Sequence, residues 1–171
     1  MAETRNIARA FSLVELLIIV AIIGILAAVV MPTVVTHSRR AKEAAARENL
    51  QILRSAIELY AAQHNGIPPG YFGGDVTTTP NQLVFMLQML RSTDIRGFLG
   101  DTGDPAFPYG PYLTSIPVNP LNGLRSIRMV DNTEPFPEPA GKHGFIYQPA
   151  TKTIRLDTPG NDLQGVPYID Y

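Results

Sequence analysis

The chain has 171 residues, 45% of them hydrophobic and 17% charged, with 14 Lys+Arg against 15 Asp+Glu for a formal net charge of -1. That length suits one domain, and the charge balance excludes a polybasic partner for nucleic acid or an anionic membrane surface. The absence of cysteine excludes a disulfide scaffold, a thiol nucleophile and a Cys-based zinc site.

These averages conceal two regimes. Only Gly24 and Pro32, of 14 glycines and 15 prolines, precede Asn65. Ten residues, MAETRNIARA, carry Arg5 and Arg9 against Glu3 and form a basic leader, 1–10. Positive charge ahead of an apolar run favours a cytoplasmic N-terminus. From Leu16 to Val35 twenty residues carry no charge, which at about 1.5 Å per residue spans roughly 30 Å, the thickness of a bilayer's hydrocarbon core. The spacing predicts a membrane-spanning helix over 11–35. No small-residue site of the A-x-A kind follows the run, so an ordinary signal peptidase is not expected to remove it.

Over 36–64 the composition changes to alanine and charge. Ala46, Leu50, Leu53, Ile57 and Tyr60 recur at spacings of three and four, the stripe of an amphipathic helix, while Arg39, Arg40, Lys42, Glu43, Arg47, Glu48, Arg54 and Glu58 mostly avoid that stripe. One continuous helix from Phe11 to His64, roughly 80 Å long and bent at most locally at Pro32, fits both segments. His64, Asn65 and Gly66 are its expected C-terminal stop, with Pro68 and Pro69 beyond.

The remainder, 65–171, reads as a globular α+β region. QLVFMLQML, 82–90, is apolar and free of breakers and predicts a short helix. GFIYQ and TIRLD flank PATK and predict a hairpin over about 144–157. Between them PYGPYLTSIPVNPLNG holds too many prolines for a central strand and reads as an ordered loop or edge. The fold expected is a long N-terminal helix, transmembrane then amphipathic, packed on a small antiparallel sheet.

No catalytic constellation emerges, and the chain is not expected to be an enzyme. His37, His64 and His143 lie outside zinc-ligand spacings and read as surface or cap residues; no nucleophile elbow, P-loop or dinucleotide fingerprint occurs. Asp101 with Asp104 and Glu134 with Glu138 read as solvated charge, and Gly73-Gly74 as turn glycines. Phe107, Tyr109 and Tyr112 are either a binding platform or a loop packed on the helix.

One residue resists these readings. Glu15 sits inside FSLVELLII, and a carboxylate in a membrane costs up to about 2.5–3.5 kcal/mol at the helix centre and less near an end. Either it lies at the headgroup boundary, or it meets a buried positive charge.

At this point RA followed by FSLVELLIIVAIIGILAAVVMP resembles the N-terminal signature of type IV pilin-like proteins. In that family cleavage occurs just before a Phe, Glu is the fifth residue of the mature chain, and a proline commonly stands at the twenty-second. Counted from Phe11, Glu15 is fifth and Pro32 twenty-second. The resemblance implies cleavage between Ala10 and Phe11 by a prepilin peptidase, N-methylation of Phe11, and pairing of Glu15 with the new α-amino group of a neighbouring copy. Ala10 stands where the family usually has Gly. The resemblance further implies an inner-membrane assembly platform, copies of the same chain and other pilin-like subunits as partners, and a bacterial inner-membrane protein with its C-terminal region in the periplasm.

GPYLTSIPVNP is similar to a segment of the major pseudopilins of type II secretion systems, which points to a secretion filament. The alternatives are a surface pilin for adhesion, motility or DNA uptake, the last being the case that would bring in nucleic acid, and a membrane-anchored periplasmic binding domain. In the pseudopilins a C-terminal loop of acidic residues and glycines binds calcium. Here Asp157, Asn161, Asp162 and Asp170 are candidate oxygen ligands, but the fuller Gly-Asp loop is absent, and neither cofactor nor metal is expected.

Overall fold

The computed structural model describes residues 12–171, and of 28–35 only the helical backbone. The expectations at Ala10 and Phe11, and a bend at the Pro32 ring, lie outside the described residues. The chain divides into two units, 1–40 and 41–171, and helix α1, Leu13–Gln63, contributes to both. The second unit adds α2 (Gln82–Leu90) and five short strands: β1 (Ser92–Thr93), β2 (Leu99–Gly100), β3 (Ile127–Met129), β4 (Phe145–Gln148) and β5 (Thr153–Leu156).

In the first unit the sequence starts α1 with a side-chain cap. Ser12 Oγ accepts from the Val14 N–H at 3.2 Å, and its carbonyl accepts the Leu16 N–H at 3.2 Å. A serine just outside the first turn satisfies one of the four amides a helix leaves unbonded.

In the second unit the stripe read from the sequence becomes the core. Ala46, Leu50, Leu53, Ile57 and Tyr60 are 0–2% exposed and cluster with Phe85 and Met89 of α2 and with Ile127, Phe145, Tyr147, Ile154 and Leu156 of the sheet. Helix α1 stops by the expected C-cap chemistry. Asn65 takes a left-handed φ of 56°, and the Gly66 N–H returns to the Ala61 carbonyl at 2.8 Å, the six-to-one bond of a Schellman end. Asn81 caps α2 by accepting from the amides of Leu83 and Val84 at 2.8 and 3.3 Å.

The three-stranded sheet corrects one detail of the expectation. β4 and β5 form the antiparallel hairpin, but β3 pairs parallel to β4, Ile127 opposite Phe145, so the sheet is mixed. The segment between Met129 and Phe145 is long enough to carry the chain back to the same end before β4 begins. β4 lies in the centre with Phe145, Ile146 and Tyr147 all buried, which is why its sequence is continuously apolar.

The proline-rich loop carries a part of the core. Ile116 and Asn119 are buried, and the amides of Tyr112 and Leu113 both donate to the Met89 carbonyl, at 2.9 and 3.0 Å. Gly110 has φ 75°, and a Cβ there would lie 2.7 Å from the Arg91 carbonyl oxygen, so only glycine lets the loop pass so close to the end of α2. Asn119 Nδ2 bridges the Gly144 carbonyl at 2.9 Å and Thr158 Oγ1 at 2.8 Å, while its Oδ1 accepts the Leu121 amide at 3.0 Å.

Candidate assembly segment

The first unit presents an unusual surface for a water-soluble helix. From Leu13 to Leu26 every large apolar residue is exposed, from 43% at Ile19 to 81% at Leu13. Leu16, Ile19, Ile23 and Leu26 lie along one face, and Leu17, Val20, Ile22 and Ile25 point elsewhere, so the apolar surface runs all round. Such a helix needs cover from lipid or from other chains. Among the described residues no helix is long and apolar enough to cross a membrane; the side chains of 28–35, which complete the uncharged run of the sequence, are outside that set.

Glu15 is the one ionisable residue between Leu13 and Ala27. It lies in the first turn of α1 and is exposed, where the helix dipole favours a negative charge. Ser12 and Glu15 have the S-x-x-E spacing of a capping box, a signal at the helix start that reading the carboxylate as a membrane anomaly alone passes over. Ser12 performs its half of that motif toward Val14.

The other candidate residues are dispersed and structurally employed. Asp157 is buried and accepts the amides of Ala140 and Gly141 on Oδ1 (2.5 and 2.9 Å) and that of His143 on Oδ2 (2.8 Å). Burial opposes its charge, but these donors, with the His143 ring 3.5 Å away, outweigh that and hold the carboxyl below its ordinary range. Asp162 Oδ1 accepts the amides of Gln164 and Val166 at 2.8 and 2.9 Å, and its Oδ2 meets Arg47 Nη2 at 2.7 Å and the Tyr171 hydroxyl at 2.9 Å. Here too burial raises and the donors lower, for a net depression. Asp170 faces Arg155 at 3.7 Å, and Asn161 bridges to Pro167. Among the described residues no group of three or more His, Asp or Glu could hold a metal ion.

His64 stands at the end of α1, as expected of a cap, but it is not at the surface. It is buried, stacks on Tyr60 at 3.8 Å between ring centroids, and meets Tyr109 and Tyr112 edge-on. Its Nδ1 donates to the Tyr60 carbonyl at 2.7 Å, which leaves Nε2 to accept from the Thr93 hydroxyl at 3.0 Å. Burial lowers its pKa, partly countered by backbone hydrogen bonds to Tyr60 and Asp94 and by the Asp94 charge. Tyr109 and Tyr112 are thus a loop packed on the helix. The Tyr112 hydroxyl donates to Gln63 Oε1 at 2.6 Å, and burial pushes its pKa up to about 12. Glu43, one of the charges that mostly avoid the stripe in the sequence, is buried and accepts the Tyr168 hydroxyl at 3.0 Å. The stripe's own spacing contained both signals, because 43 and 64 continue the series 46, 50, 53, 57, 60 by one step at each end.

An apolar N-terminal helix with a first-turn carboxylate, preceded in the sequence by a basic leader and continuing into an α+β unit, is the arrangement in which this chain is similar to type IV pilin-like proteins. The model of the prokaryotic N-terminal methylation motif matches residues 5–31. Over 55 residues, 32% of this chain and 25% of the relative, the sequence is 48% identical to the type IV major pilin protein PilA of Myxococcus xanthus. Over 58 residues, 34% of this chain and 41% of the relative, it is 33% identical to the type II secretion system core protein G of Pseudomonas aeruginosa. The chain thus spans about a quarter and two fifths of the lengths of these curated relatives. No solved structure matches it.

Proposed function

We propose that the protein is a pseudopilin, a structural subunit of a helical filament assembled at the bacterial inner membrane that acts in type II protein secretion. The observation that carries the filament reading is the conjunction of a helix exposing apolar side chains all round with a single carboxylate, Glu15, in its first turn. Lipid covers the apolar surface while the subunit waits, and other copies cover it in the filament. In that dry environment the carboxylate needs a cation. Cleavage between Ala10 and Phe11 creates one, the α-amino group, and pairing it with Glu15 of the next copy is a head-to-tail contact that does not close and therefore propagates.

The secretion reading rests on the GPYLTSIPVNP loop, which packs into the core through Ile116 and Asn119, on the cysteine-free sequence, and on the similarity to core protein G. The similarity to a major pilin at higher identity favours the second reading, a surface pilin. In both, the N-terminus is cytoplasmic, the helix crosses the membrane once and residues 41–171 are periplasmic.

Intact-mass and N-terminal analysis of the chain from membranes of a host with an active prepilin peptidase tests the class. A product beginning at methylated Phe11 is expected, and an intact leader in that host sinks the proposal. Deletion in the native host then separates the readings: loss of secreted proteins with surface fibres unchanged supports the pseudopilin, and loss of surface fibres with secretion intact supports the surface pilin.

A further inference from the structure

We infer that the guanidinium of Arg47, and not a bound calcium ion, supplies the positive charge that closes the C-terminal loop of this protein. In the pseudopilins that the chain resembles such a loop binds calcium, whereas the fuller Gly-Asp loop is absent here and the donor set of these residues does not fit the ion. A calcium ion takes six to eight oxygen ligands at about 2.3–2.6 Å. An ionised carboxylate has about four lone-pair positions, and those of Asp162 face four donors: the Gln164 and Val166 amides on Oδ1, Arg47 Nη2 and the Tyr171 hydroxyl on Oδ2. Asp157 is committed to the amides of Ala140, Gly141 and His143. A calcium ion at Asp162 would have to displace Arg47 and the Tyr171 hydroxyl from Oδ2 or the two amides from Oδ1, and one at Asp157 would meet a carboxylate already holding three backbone amides, so neither offers the open set of oxygens the ion needs.

The guanidinium is itself held in place. Its Cζ lies 4.0 Å from the centroid of the Tyr171 ring, a cation–π contact that adds to the charge-assisted bond with Asp162. One turn earlier on α1, Glu43 accepts the Tyr168 hydroxyl, and Tyr168 meets Tyr171 edge-on at 5.5 Å. Residues 168–171 are therefore fastened to α1 at two successive turns, and the turn at 162–166, closed by the Asp162 N–H to the Val166 carbonyl at 2.8 Å, is fastened through the same arginine. A side chain of the long helix occupies the position that a diffusible ion would otherwise fill, so the order of the loop is independent of calcium concentration. This holds whether the filament serves secretion or the cell surface.

The test uses the full chain in detergent micelles, with two readouts: the thermal midpoint from tyrosine near-ultraviolet dichroism, and the rate of chymotrypsin cleavage after Leu163, an exposed residue of the loop. With excess calcium chloride or excess EDTA, both readouts are expected to be unchanged. Arg47→Ala is expected to lower the midpoint and speed cleavage roughly tenfold, as loss of a charge-assisted bond increases the open population, with Arg47→Lys intermediate. A higher midpoint in calcium, a lower one in EDTA, or an Arg47→Ala chain as resistant as the parent overturns the inference. Should Arg47→Ala fail to fold, Tyr171→Phe removes one donor to Asp162 and keeps the ring; faster cleavage with an unchanged far-ultraviolet spectrum is then expected, and unchanged cleavage overturns the inference.

Discussion

The two halves of α1 are one helix by backbone and two by side chain. Between Leu13 and Leu26 the apolar residues surround the axis and are all exposed; between Ala46 and Tyr60 the stripe Ala46, Leu50, Leu53, Ile57 and Tyr60 is buried, while Ile52 and Leu59, off the stripe, stay exposed. The difference is periodicity. A stripe at spacings of three and four can be buried by one neighbour, and residues 65–171 provide that neighbour. A helix apolar all round needs a medium or a ring of helices. What separates an assembly element from a core element here is thus the distribution of apolar residues, not their number.

Breaking the first half should leave the second untouched. Glu15→Val is expected to abolish filament formation, with the subunit still in the membrane fraction and the thermal midpoint of the second unit unchanged. Normal filaments from that variant, seen by electron microscopy of sheared fractions, would show that the carboxylate has no assembly role. Breaking the second half is expected to do the reverse at the level of the monomer. Leu53→Ala in the stripe leaves a cavity against the sheet and should cost about 2–5 kcal/mol in denaturant unfolding, while the N-terminal segment still partitions into membranes.

The comparison also sharpens with pH. Asp157 and Asp162 have folded pKa values held below the ordinary carboxylate value, so the unfolded chain takes up protons first as pH falls. Their contribution is present above about pH 4 and is lost as pH falls through the folded values. Thermal midpoints of the second unit should drop on that acid limb, and Asp157→Asn should flatten it at a lower starting stability. His64 acts at a higher pH: its depressed folded pKa means stability declines as pH falls below its unfolded value of about 6.5, a limb that His64→Gln should remove. The smallest effect expected is Asn81→Ala, the loss of the α2 cap, at about 1 kcal/mol in the same unfolding assay.

The legible parts of the molecule are those with a strong local period. The stripe of α1, the apolar run 82–90 and the β4–β5 hairpin could be read because their signals span several residues each. β3 could not, since three residues, Ile127–Met129, are too few to display an alternation, and its parallel pairing depends on a crossover that carries no pattern. The roles of Asn119, Gln88 and Arg47 were hidden for a related reason. Each satisfies groups far away in sequence, as Gln88 does in taking the Gly70 amide at 2.8 Å and giving its own hydrogens to Tyr71 and Gly97, and polar residues of this kind have no periodicity. Of the assembly segment, the Glu15 anomaly and the leader were visible as charge set against apolarity, whereas the Ser12 cap lay in plain sight three residues upstream.

The bonds from α1 to residues 168–171 bear on the order of events during synthesis. Glu43 to Tyr168 closes a separation of 125 residues and Arg54 to Tyr171 one of 117, among the slowest kinds of contact to form. At about 5–20 residues per second, the core of 41–171 waits several seconds after the stripe of α1 has been made. During that interval residues 13–27 are already complete as a helix-forming, uncharged stretch apart from Glu15. The ribosome thus delivers the segment with the exposed apolar surface well before the residues that lock the folded unit, which separates in time the covering of that surface from the folding of residues 41–171.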